Sequence, residues 1–408
     1  MNYIIKMTIV FIQIFFLLGC VDKSEKDNVK VFWGLLGEYP KESRFNPYEL
    51  TREDKQTDVA SILYLIRRDY KSAKEIAKLT EIDINIVESK LYELKKCELV
   101  KEKDSKFLVN FAFWDESLKD RINSLGLELA HQIVQFIKSE IPNLKETFKE
   151  SSLTEQGYTW GDVSLIIIGG LLLDTGLNDR GLRKWGIFDK KRDTPIRPGN
   201  YYYWYKAVEN GWGNYWKFGH DQTHSINSNI WFGMFYGQKK ENKINWIKAW
   251  DVFNENTQKI IFPLIKNGKI SFRKLQSETS ISQDSLLAIL KEMEKTKVVT
   301  SDDGYIFPNF PIFNEKDISL ILSKVDSICS KIISDIYIPF LPRIHETWIE
   351  IKPTNWEIQN IEKFFIREVY DRPYNLTLDI LIEEGIVPPP PVDPPFDYWG
   401  INGYFNVL

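Results

Sequence analysis

Several residue groups in this 408-residue chain have the types and spacing to do chemistry. In His220-Asp221-Gln222-Thr223-His224 a helix would put two imidazoles on one face, the geometry that holds a hydrolytic zinc ion when a glutamate follows the first histidine. Aspartate, one carbon shorter, stands in that place. Gly219 before the pair and Asn227-Ser228-Asn229 after it predict a loop rather than a helix. His131 and His345 offer no evident third ligand, so no metal is expected. Tyr203, Trp204, Trp212 and Trp216 lie among Gly and Asn, where flat rings suit a protein partner or the face of a sugar. Aromatic side chains also bury large areas, so a packed cluster joining the flanking parts is the simpler reading. Lys101, Lys103 and Lys106 crowd one short stretch and could meet phosphates. No nucleophile-base pair, phosphate-cradling glycine loop or paired carboxylates stand out, so the chain reads as non-enzymatic and without a cofactor.

The elements that would position these groups recur. Aligning Leu65-Ile66 with Leu264-Ile265 (264 − 65 = 199) brings Ser72 onto Ser271, Thr80 onto Thr279, Leu91 onto Leu290, Val100 onto Val299 and Asn110-Phe111 onto Asn309-Phe310, without a gap. Farther along, Glu146-Thr147 matches Glu346-Thr347 and Gly186-Ile187 matches Gly385-Ile386. Within the first copy, Val59, Ile62, Leu63 and Ile66 have the spacing of one buried helical face. Ser72 and Glu75 form a capping box opening a second helix. A third helix after Asp83 buries Val87, Leu91 and Leu94, and two strands follow around a charged turn. In the second copy Leu286, Ile289, Leu290 and Met293 line the third helix, and Asp303-Gly304 supplies a hairpin turn. The expected fold is mainly α with small β-hairpins (α+β), internally duplicated as a pseudo-dimer, each copy pairing this module with a helical companion.

Three helices and a β-hairpin resemble the winged-helix superfamily, most like small regulators of the ArsR kind. In a DNA-binding member the third helix enters the major groove and reads base edges with Arg, Lys, Asn or Gln. Here its expected exposed positions are Asn85, Glu88, Ser89 and Glu93, and in the second copy Gln283, Asp284, Ala288 and Glu292. Neither helix contains an arginine, and acids in the leading half repel phosphate. The net charge of −4 provides no global basic footprint. Against this, the resemblance would place Lys101, Lys103 and Lys106 on the first wing as phosphate contacts.

The N-terminus points elsewhere. Met7 to Leu18 is an apolar stretch too short to span a bilayer, ending in Leu17-Leu18-Gly19-Cys20. It resembles the signal peptide and lipobox of bacterial lipoproteins, which implies lipid (palmitate) attachment at Cys20 and anchoring on the extracytoplasmic face of the cell membrane. Cys97 and Cys329 fall in apolar-periodic segments and are expected as buried thiols. Leu165 to Leu173 reads as a buried helix with a close packing point at Gly169-Gly170. Pro388 to Pro391 and Pro394-Pro395 read as an extended strap leading Tyr398-Trp399 back onto the body. The chain thus divides into a signal peptide (1–20), a tether and lead-in (21–57), winged helix 1 (58–113), companion 1 (114–197), an aromatic inter-repeat segment (198–252), winged helix 2 (253–313), companion 2 (314–387) and the strap (388–408). The functional expectation is a lipid-anchored binding or scaffold protein with a protein partner in the cell envelope; carbohydrate is a further candidate ligand. The alternative is a winged-helix transcriptional regulator that binds DNA, membrane-tethered or soluble.

Overall fold

The computed structural model describes residues 31–37, 56–177, 179–193, 196–197, 201–209, 218–224, 229–237, 254–393 and 396–403. The chain is mainly helical with small sheets. It forms two compact units, each drawn from three stretches of sequence: Met1–Leu125, Gly186–Gly213 and Leu341–Val369 in the first, Gly126–Trp185, Asn214–Phe340 and Tyr370–Leu408 in the second.

In the first unit, strand β1 (Val31–Gly37) precedes the helix Gln56–Leu65, whose Val59, Ile62 and Leu63 are buried together with Ile66 just beyond it. After β2 (Lys71–Ser72), the helix Ala73–Thr80 opens with the capping box: Ser72 Oγ accepts from the Glu75 N–H at 3.3 Å, and the Glu75 carboxylate accepts from the Ser72 N–H at 2.7 Å. The two Ser72 donors hold the Glu75 carboxyl below the usual carboxylate range. Asp83 caps the third helix, Ile84–Lys96, which turns Val87, Leu91 and Leu94 inward. Strands β3 (Val100–Lys103) and β4 (Lys106–Val109) follow, giving the sheet order β2-β4-β3. Asp104 and Ser105 in the turn both have positive φ, as a two-residue hairpin of matching twist requires. A second sheet joins β5 (Ala112–Trp114), β6 (Ile196–Arg197) and β7 (Tyr201–Glu209) to β1; β7 pairs antiparallel with β1 and parallel with β5.

The second unit begins its strands with β8 (Phe218–His224) and β9 (Ile230–Gly237). The helix Glu255–Asn267, β10 (Ile270–Ser271), the helices Phe272–Thr279 and Gln283–Lys295, and the hairpin β11 (Val299–Asp302) and β12 (Tyr305–Pro308) follow in the order seen in the first unit. Strand β13 (Ile312–Phe313) and the late β14 (Asp397–Asn402) complete a sheet of order β13-β14-β9-β8. Tyr398 and Trp399 are buried there, and the Gly237 N–H donates to the Pro391 carbonyl at 2.7 Å, so the end of the proline-rich stretch lies along the sheet.

Backbone details recur with the element order. Positive φ occurs at Glu81 and Ser280, Glu98 and Lys297, Asp104 and Asp303, Ser105 and Gly304, and Gly186 and Gly385, each pair 199 apart (280 − 81, 385 − 186). The registers Lys71↔Phe107 and Ile270↔Ile306 differ by the same interval, as do the starts of β1 and β9 (230 − 31).

The second unit also holds a helix that changes pitch. Trp160–Leu165 continues as a π-helix over Ile166–Leu177, nearly all of it buried. A Cβ on Gly169 would lie 3.0 Å from the Phe235 ring, and one on Gly176 would lie 2.5 Å from Cys329 Sγ, so close packing extends past the Gly169-Gly170 point expected.

Two expectations change. Residues 218–224 form a strand, not a loop, because pairing with the apolar β9 supplies the ladder that His220-Asp221-Gln222-Thr223-His224 lacks in intrinsic propensity. The aromatic stretch likewise contributes strands to both larger sheets, which extend the β content beyond hairpins.

Candidate functional site

The third helix and wing of the first unit are the best-defined surface among the sequence candidates. Asn85, Glu88 and Ser89 are exposed as expected, whereas Glu93 is half-buried, with Lys90 Nζ 3.3 Å from its carboxylate. The most exposed large hydrophobic side chain of this helix is Tyr92, 61% accessible, with Lys96 Nζ 4.2 Å from its ring centroid. At 100° per residue Asn85, Ser89, Tyr92 and Lys96 form one row along the helix. In the second unit Gln283, Asp284, Ala288 and Glu292 are all exposed.

The three lysines part company. Lys103 and Lys106 face each other across the hairpin and are exposed. Lys101 is not available in the same way: its Nζ lies 3.4 Å from Glu357 Oε2 and donates to the Asn355 carbonyl at 3.5 Å. The same loop inserts Trp356, whose ring centroid is 6.2 Å from that of Trp114 and whose Nε1 donates to the Arg67 carbonyl at 2.7 Å. Asn355 Nδ2 donates to the Arg68 carbonyl and to Asp69 Oδ1, both at 3.3 Å. Lys101 therefore also contacts the 355–357 loop of its own unit, and no local pattern signalled this, since those partners are more than 250 residues away in sequence.

Of the proposed aromatic surface, Tyr203 and Trp204 stand on β7, at the register positions of Gly37 and Leu36 of β1. Trp212, Trp216 and the lipid-attachment residue Cys20 lie outside the described residues. The same β7 carries two residues that sequence reading passed over. Lys206 Nζ lies 2.6 Å from Oε1 of the fully buried Glu368. Glu209 accepts from the Tyr64 hydroxyl at 3.2 Å and from the Glu116 N–H at 3.4 Å; burial, then the neighbouring Glu209 carboxylate, push the Tyr64 hydroxyl up against the lowering effect of Arg67. Nearby, Arg68 pairs with the buried Asp115, which raises the guanidinium further.

In the second unit Asp317 is fully buried and accepts from Ser152 N and Ser152 Oγ, both at 2.7 Å, and from Asn314 N at 2.9 Å. Asn314 Nδ2 donates to Ser152 Oγ at 2.7 Å. The Ser152 hydroxyl is thus held between the Asp317 carboxylate and the Asn314 amide, in the network that caps the helix Glu315–Asp317. Burial pushes the Cys97 thiol up to about 11 and the Cys329 thiol up as well, so both are inert as nucleophiles near neutral pH. No three His, Cys, Asp or Glu side chains converge as a metal site among the described residues. Trp160–Lys184 is the only helix among them long and apolar enough to cross a membrane, and most of it is buried in the second unit.

No protein-family model matches the chain, and neither a curated protein nor a solved structure resembles it significantly.

Proposed function

We propose that the chain is a non-catalytic binding or scaffold protein built from two winged-helix repeats and held at the membrane by a lipid on Cys20. The supporting observation for the repeat is the recurrence of positive-φ positions and strand registers at one interval of 199 residues, since such conformations are costly for non-glycine residues and do not recur in step by accident. Support for binding a protein instead of DNA comes from the third helices. Acids stand at Glu88, Asp284 and Glu292, Lys101 is engaged by Glu357, and the most exposed large hydrophobic side chain of the first third helix is an aromatic. Such a surface suits a protein partner in the cell envelope. Labelling with a radioactive fatty acid tests the anchor: the wild-type protein takes up label, Cys20→Ser abolishes uptake and releases the protein from membranes, and unlabelled wild-type protein that still sediments with membranes overturns the proposal. Protease treatment of intact cells tests export; full protection assigns the chain to the cytoplasm.

The row Asn85, Ser89, Tyr92 and Lys96, with Lys103 and Lys106 on the wing, favours a second reading as a DNA-binding regulator. It requires salt-dependent duplex binding that weakens in Lys103→Ala/Lys106→Ala, and absence of binding at low salt eliminates it.

A further inference from the structure

Between the third helix and the wing of the first unit lies a groove of about 320 Å³. Its apolar lining is Ala73, Leu91 and Phe107, and its charged lining is Glu88, Lys95 and Glu102, with Tyr92 beside them. The second unit shows what such a groove accepts. At the position matching Ala73 (272 − 73 = 199) stands Phe272, packed against a core that contains Leu290 and Ile306, the counterparts of Leu91 and Phe107. At this matched position one unit carries a half-buried phenyl ring and the other only a methyl group. The open groove also carries a charge bias. Lys95 is already paired with Glu102 at 2.7 Å, and Glu88 is exposed without an ion-pair partner among the described residues.

We infer that this groove docks an aromatic side chain carried next to a positive charge on a protein partner, the ring taking the place that Phe272 occupies in the second unit and the cation meeting Glu88. The inference rests on the reading of the chain as a protein-binding module and names the chemistry of its partner. A ring would cover the half-buried Ala73 and Phe107, and a cation on the rim would pair with the exposed Glu88.

The test is an NMR titration of the full chain, methyl-labelled at Ala and Leu, with 2-phenylethylamine and with 3-phenylpropionate, which have the same ring and opposite charge. The amine is expected to shift the Ala73 and Leu91 methyls saturably and to bind on the order of tenfold more tightly than the acid, because the two differ by two unit charges beside Glu88. Ala73→Phe, which copies the second unit's own solution, removes binding. Glu88→Gln keeps ring binding and abolishes the preference for the amine, so the result does not depend on one variant's folding. Absence of saturable shifts at these methyls, or amine binding unchanged in Ala73→Phe, overturns the inference. Because fatty-acid labelling of Cys20 is read separately, failure of the anchor and failure of the groove are distinguishable.

Discussion

The two units repeat one order of helices and hairpin with different side-chain chemistry. Where the first unit has Glu368 buried against Lys206, the matched position in the second is Gly169, tucked beneath Phe235. Where the first pairs Arg68 with Asp115, the second has Asn267 and Asn314 (267 − 68 and 314 − 115, both 199). At these matched positions the first unit uses ion pairs and the second a close approach and neutral side chains; the second keeps its buried charge elsewhere, at Asp317 and at Glu140, which pairs with Lys324 and Lys331. The contrast teaches that a shared fold constrains where a side chain sits and how much room it has; charge is left free as long as each buried ion has a partner.

The largest test of this contrast removes one ion. Glu368→Ala should destabilise the first unit by about 4 kcal/mol, because Lys206 and the buried Arg367 both lose this carboxylate, while Lys206→Met/Glu368→Leu recovers only the part due to Lys206. Hydrogen exchange in peptides of each unit reads the effect separately, and equal loss in the double variant would contradict this role for the pair. Next comes close packing. Gly176→Ala should cost the second unit about 2 kcal/mol, since the new Cβ would lie 2.5 Å from Cys329 Sγ, and Cys329→Ala should restore part of it, the Leu171 carbonyl oxygen still lying 3.0 Å away. Urea unfolding of the single and double variants checks the coupling.

A smaller effect separates the units by pH. In the first unit burial works to raise the Asp193 carboxyl, but Arg192, the Asp189 N–H and Lys363 outweigh it and hold it below its ordinary value. In the second, burial and then Asp162 push Asp397 up to about 6. The folded state therefore prefers protonated Asp397, and the stability this contributes is complete below the ordinary value near 4 and lost as pH rises through about 6. Asp397→Asn should stabilise the second unit above pH 6 by about 1 kcal/mol and change nothing near pH 3.5, as followed by thermal unfolding; a uniform shift at all pH values would contradict it. The Asp193 contribution runs the other way, present at neutral pH and lost in acid. The smallest effect is at the contact of Lys101 with the 355–357 loop: Lys101→Ala should cost about 0.5 kcal/mol, because Glu357 is largely exposed and water screens the pair. A loss several times larger would mean that Lys101 anchors the whole 353–360 loop.

Much of each module was legible in sequence. The Ser72-Glu75 cap, the inward row Val87, Leu91 and Leu94, and the hairpin turns at 104–105 and 303–304 are local, and they appear where the residues predict them. The exposed faces of the third helices were nearly so, although Tyr92 went unnoticed because an aromatic residue is ordinarily assigned to the interior. Less of the candidate site was legible. Lys101 looked like a wing cation because its partners stand at 355 and 357, and the groove is visible only when Ala73 is compared with Phe272 in three dimensions.

What the sequence by itself determined is the three helices and the hairpin at 56–109 and again at 255–308, with their caps and turns, because these depend on residues within a turn or two of one another. The tertiary structure alone decided that β7 lies between β1 and β5, that β14 from the end of the chain enters the sheet of β9, and that residues 341–369 complete the first unit while 126–185 complete the second. The strand pairings join residues from 94 (206 − 112) to 178 (209 − 31) apart, and their free energy comes from shared buried surface and from ion pairs that exist only once the chain has folded.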